Sequence, residues 1–83
     1  MPRYLLAFES THAAMAANKA LAAVNPAVIP TPRAITASCG MTLRFEAEGA
    51  AAARALAVAV PEARGLAALY ADQAGEYVLL EKL

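Results

Sequence analysis

One cysteine, Cys39, and one histidine, His12, are all that this chain has of the residues that most often hold metals or form cross-links. A single thiol excludes an internal disulfide, and one Cys with one His cannot assemble a structural zinc set. Glycine is sparse and scattered at Gly40, Gly49, Gly65 and Gly75, so there is no glycine-rich loop to cradle a phosphate. Neither sign of charge prevails: seven basic and seven acidic residues cancel, and no basic stripe is present to neutralise a nucleic-acid backbone. Long hydrophobic runs are missing too, because Asn18, Lys19, Arg54 and Pro61 interrupt the alanine-rich stretches before they could span a membrane. The apolar run after Arg3 reaches Glu9 too soon for a secretory signal core. With a free cysteine besides, the expected compartment is the reducing cytoplasm.

What is present is an apolar chain of 83 residues, 60% hydrophobic and 17% charged. That length suits a single small domain, residues 1–83, which hides only about 60–65% of its unfolded surface and has a modest stability margin. Much of the hydrophobic share is alanine, so large core side chains are scarce and helices can approach a sheet closely. Sharing burial in a homo-oligomer is a reasonable expectation for such a composition.

Hydrophobic spacing divides the chain into elements. Residues 3–8 are nearly all apolar, as in a central strand. Ser10 and Thr11 are helix-capping types and open a helix to about Val24, with Ala14, Ala17, Leu21 and Val24 on one face. Asn25-Pro26 stops it. Residues 27–29 form a short strand, and a loop from Pro30 through Ser38 follows, stiffened by Pro30 and Pro32. Residues 41–46 alternate, Met41, Leu43 and Phe45 on a buried face against Thr42, Arg44 and Glu46 on a wetter one. A second helix runs from near Glu48 to about Val60, with Leu56 and Val60 toward the core, and Pro61 closes it. Residues 66–70 make a fourth strand, residues 72–75 a turn, and residues 77–80 a further strand that would hairpin with the fourth. This order predicts an α+β, ferredoxin-like split βαβ sandwich, βαββαβ with an extra C-terminal strand. Its sheet is antiparallel, with both helices on one face.

That topology has a chemical consequence. The first strand ends, the first helix begins and the loop into the third strand returns, all at one end of the sheet. Thr11 and His12 are therefore expected beside residues 30–40. A thiolate is favoured by a helix N-terminus or a neighbouring cation. Cys39 is accordingly the candidate nucleophile or carrier thiol, with His12 beside it. Arg33, Ser38, Gly40 and Thr11 are the candidate groups around a charged adduct, and Gly40 would allow a tight turn and close approach. Plainer readings exist for each: a buried small hydrophobe for Cys39, a helix-start residue for His12, a solvated charge for Arg33, caps for Ser10 and Thr11, and a surface position for Arg44. Glu46 and Glu48 are read as solvated charges and not as an acid–base pair.

Two segments carry a family resemblance. They are Phe8-Glu9-Ser10-Thr11-His12-Ala13-Ala14-Met15-Ala16-Ala17 and, more specifically, Ile29-Pro30-Thr31-Pro32-Arg33-Ala34-Ile35-Thr36-Ala37-Ser38-Cys39-Gly40-Met41-Thr42-Leu43-Arg44. Two prolines, an arginine and then Ser-Cys-Gly make the chain resemble the small bacterial selenium/sulfur carrier-like proteins, from Tyr4 to about Leu69. Asn18 departs from the acidic residue expected there, which bears on any partner surface carried by that helix. The resemblance implies that Cys39 carries sulfur or selenium as a persulfide or perselenide between a donor and an acceptor protein. Pro30, Thr31, Pro32, Arg33, Ser38 and Gly40 would form its loop, and His12 would face it. It implies a carrier more than an enzyme with turnover of its own, and calls for no cofactor. Two rivals stand beside it: an anion- or protein-binding module built on the loop of residues 30–40, and a structural subunit that oligomerises through its sheet.

Overall fold

The computed structural model describes residues 1–35 and 40–83. Five strands and two helices follow one another as β1 (Arg3–Phe8), α1 (Thr11–Ala20), β2 (Ala27–Pro30), β3 (Met41–Glu46), α2 (Ala50–Val58), β4 (Ala67–Gln73) and β5 (Glu76–Lys82). The strands form one sheet in the order β2-β3-β1-β4-β5, with every neighbouring pair antiparallel. This is the α+β, ferredoxin-like arrangement expected from the element order, extended by β5 at one edge. Residues 71–83 complete the home sheet: Tyr70 pairs with Leu79 and Asp72 with Tyr77.

β1 lies at the centre because it is apolar on both faces. Tyr4, Leu6 and Phe8 point into the core shared with the helices, together with Leu43, Phe45 and Leu69. Leu6, Phe8, Leu43 and Leu69 are fully buried, each contributing about 1.5–3 kcal/mol. Alanines let the helices sit close to the sheet: Ala13, Ala14 and Ala17 of α1, and Ala53 and Ala57 of α2, are all sealed off from solvent. Arg54 of α2 pairs with Glu81 of β5, a partly exposed bridge worth at most about 1 kcal/mol.

Leu5 and Ala7 face the other way. There they form a second cluster with Ile35, against which Ile29, Tyr70 and Tyr77 pack. Ile35 follows β2, so residues 31–35 fold back over the sheet face opposite the helices.

Several boundaries differ from the sequence expectation, each for a local reason. α1 ends at Ala20, because Leu21 leaves helical geometry and residues 22–24 tighten into a 3-10 turn closed by Asn25 in the left-handed region (φ 51°). The same spacing carries Val24 to a half-buried position. α2 starts at Ala50, two residues past Glu48, with Gly49 as its N-cap and no side-chain cap. Ala53 and Ala57 are its buried positions, and Leu56 is only half-buried. Val60, beyond the end of α2, is buried. The β4–β5 turn is centred on Ala74 (φ 56°) and Gly75 (φ 92°), leaving Asp72 and Gln73 within β4. Thr42, expected on the wetter face of β3, is completely buried.

Candidate functional site at the cysteine loop

Antiparallel pairing of β1 with β3 sets Ala7 opposite Thr42. The end of β1, the opening of α1 and the start of β3 therefore lie at one end of the sheet. The Ser10 hydroxyl caps α1, accepting a hydrogen bond from the backbone N–H of Ala13 at 3.3 Å. Thr11 and His12 follow in the first turn, both exposed. The exposed His12 side chain makes no hydrogen bond or ion pair with another described residue.

The loop returning to this end is closed by its own base. Pro30 pairs with Met41, and the Thr31 N–H donates to the Gly40 carbonyl at 3.0 Å. Two further contacts fix its path. The hydroxyls of Thr31 and Thr42 lie 2.9 Å apart. The Ile35 N–H donates to the Pro32 carbonyl at 3.0 Å, closing a turn with Arg33 and Ala34 at its corner. Arg33 is exposed at that corner, while Ile35 anchors the turn among Leu5 and Ala7. The segments bearing Thr11, His12 and Gly40 thus share one end of the sheet, whereas the turn bearing Arg33 is held on the face opposite α1.

Cys39 and Ser38 lie outside the described residues. Gly40, the next residue in the chain, is exposed. A Cβ placed on Gly40 would meet no atom of the described residues within 4 Å.

Two participants, Ile35 and Thr42, were hidden in the sequence. They shape the loop together with Thr31, which the resemblance had already assigned to it, and no periodicity marked either of them. An open groove of about 390 Å³, lined by Arg3, Asn25, Arg44 and Glu46 among others, lies at the opposite end of the sheet. No helix among the described residues is long and apolar enough to cross a membrane.

Fold and loop together define a small α+β domain whose cysteine sits in the sequence of a proline-stiffened β2–β3 connection. The chain belongs to the family described as "Putative Se/S carrier protein-like", which matches residues 3–60. The match covers β1 through α2 and stops short of the β4–β5 hairpin, ending before the Leu69 limit expected from sequence. No curated protein and no solved structure matches the chain.

Proposed function

We propose that the protein carries sulfur or selenium on Cys39 between a donor and an acceptor protein in the cytoplasm. Membership of the Se/S carrier-like family is the observation that carries this reading. The exposed His12 and Gly40, carried by segments that share one end of the sheet, support it. In the loading step the Cys39 thiolate attacks the terminal sulfur of a donor enzyme's persulfide. A new S–S bond forms on Cys39, the donor's S–S bond breaks, and the donor leaves as a thiolate. In delivery an acceptor thiolate takes the terminal sulfur and Cys39 departs as thiolate. Both exchanges conserve electrons and need no cofactor. His12, Thr11, Ser38 and the N-terminus of α1 supply the positive and hydrogen-bonding groups that favour the anionic adduct, with Arg33 kept apart on the opposite face.

The test is to incubate the protein with a cysteine desulfurase and cysteine, then weigh it intact. A reducible gain of one sulfur that vanishes in Cys39→Ser is the expected result. No adduct, or one that persists in Cys39→Ser, overturns the carrier reading. Partner binding retained by Cys39→Ala and lost in Arg33→Ala would instead identify an anion- or protein-binding module.

A further inference from the structure

At the end of the sheet remote from the cysteine loop, two arginines line one groove. Arg3 opens β1 and Arg44 lies in β3, both on the face opposite the helices. Their electrostatic settings differ. Arg3 stands directly across from two carboxylates, Glu46 on β3 and Asp72 on β4. Arg44 stands across from Leu5 on β1 and Ala27 on β2, neither of which carries charge. Arg44 is half-buried, yet its guanidinium makes no hydrogen bond or ion pair with another described residue. A guanidinium removed in part from water without a carboxylate is costly unless something else satisfies it.

The groove has the room for that something. Its volume of about 390 Å³ falls in the range of small-molecule sites, roughly 300–1,000 Å³, and exceeds what a bare ion needs. Val24 and Phe45 are also among its lining residues, and Asn25 adds an amide to the guanidinium groups of Arg3 and Arg44. Asn25 is held in place by the left-handed turn after α1, its N–H donating to the Ala22 carbonyl at 3.0 Å.

We propose that this groove binds a small organic molecule through one carboxylate or phosphate group, with Arg44 as its principal ligand and Arg3 and Asn25 completing the contact. Planar guanidinium groups match both oxyanions in bidentate geometry. Glu46, which also lines the groove, limits the bound charge by repelling a second anionic group. The site is independent of Cys39 and of the carrier reading.

Amide and arginine Nε resonances of the whole chain, followed during titration with inorganic phosphate and separately with acetate, test the proposal against sodium chloride at matched ionic strength. Saturable shifts at Asn25, Ala27 and Arg44 are expected, and the anion that saturates first assigns the recognised group. Arg44→Gln should weaken binding about tenfold or more, as loss of a charge-assisted hydrogen bond does. Arg3→Gln should weaken it less, and Arg64→Gln should leave it unchanged. Shifts that chloride reproduces, or that survive both Arg44→Gln and Arg3→Gln, overturn the proposal.

Discussion

Thr31 and Thr42 meet hydroxyl to hydroxyl at 2.9 Å, and the second of them is completely buried. The contact joins the first residue after β2 to the second residue of β3, just inside the closed base of the cysteine loop. Burial makes it matter, because a lone hydroxyl sealed from water loses about 1–3 kcal/mol when its partner is removed. Thr42→Val should therefore lower stability by about 1 kcal/mol. In a double-mutant cycle with Thr31→Val, the pair should show a coupling of about 0.5–1.5 kcal/mol. Urea midpoints of the four proteins measure it, and strict additivity would mean that the two hydroxyls do not cooperate.

Turn chemistry at the β4–β5 hairpin leaves a second mark. Both central residues have positive φ, which suits Asn-Gly, and the first of them is Ala74. Alanine there carries a steric cost of about 1–2 kcal/mol. Asn tolerates this region, so Ala74→Asn should stabilise the protein by about 0.5–1 kcal/mol. Gly75→Ala should destabilise it by a comparable or larger amount. Thermal melts of the two variants should move in opposite directions from the parent. The Asp72 carboxylate, which accepts from the Gly75 N–H at 3.1 Å, should be retained in both.

These two places also show what the sequence could and could not reveal. β3 was legible to the residue because strict alternation runs from Met41 to Glu46. β1 was legible as central because no polar residue interrupts it between Arg3 and Glu9. The end of α1 was not, since a 3-10 turn continues helical spacing closely enough to disguise the change at Leu21. Asp72-Gln73-Ala74-Gly75 looked like a turn starting at Asp72, because alanine gives no hint of a left-handed backbone. The hidden burial of Thr42 has the same origin as the hidden role of Ile35. A loop carries no periodicity, so nothing in it foretold that one of its side chains would cover the second face of the sheet. The shared end of β1, α1 and β3 followed from topology alone. The position of Arg33 required the turn at Pro32.

Ile35 offers a way to loosen the cysteine loop without disturbing the helical core. It is buried against Leu5 and Ala7 on the face opposite α1 and α2. Ile35→Ala should cost about 2 kcal/mol or more if the loop stays docked, the usual penalty for a buried aliphatic truncation. Local release would make the global cost smaller. In that event the amide protons of Thr31 and Ile35 should exchange faster while those of β1 remain protected. Unchanged exchange at both amides would show that the turn holds without its anchor.

The two edges of the sheet are protected unequally. β2 is only four residues long and ends in Pro30, both devices that discourage further strand pairing. β5 has seven residues and no proline, and it exposes Val78, Leu79 and Leu80 at 42%, 46% and 39%. Its protection is limited to charges near the ends and the irregularity between the pairings of Leu69 and Tyr70. An apolar edge of this kind is where chains associate when concentrated or partly unfolded. Leu79→Lys adds a charge at an exposed site and removes little packing, so its urea midpoint should stay within the equivalent of about 0.5 kcal/mol of the parent. Its aggregation onset on heating should nevertheless rise, as read by light scattering. A matching Val28→Lys on β2, also exposed, should do neither, because that edge is already closed by its length and its proline. Equal effects of the two lysines would assign association to general surface charge and not to the β5 edge.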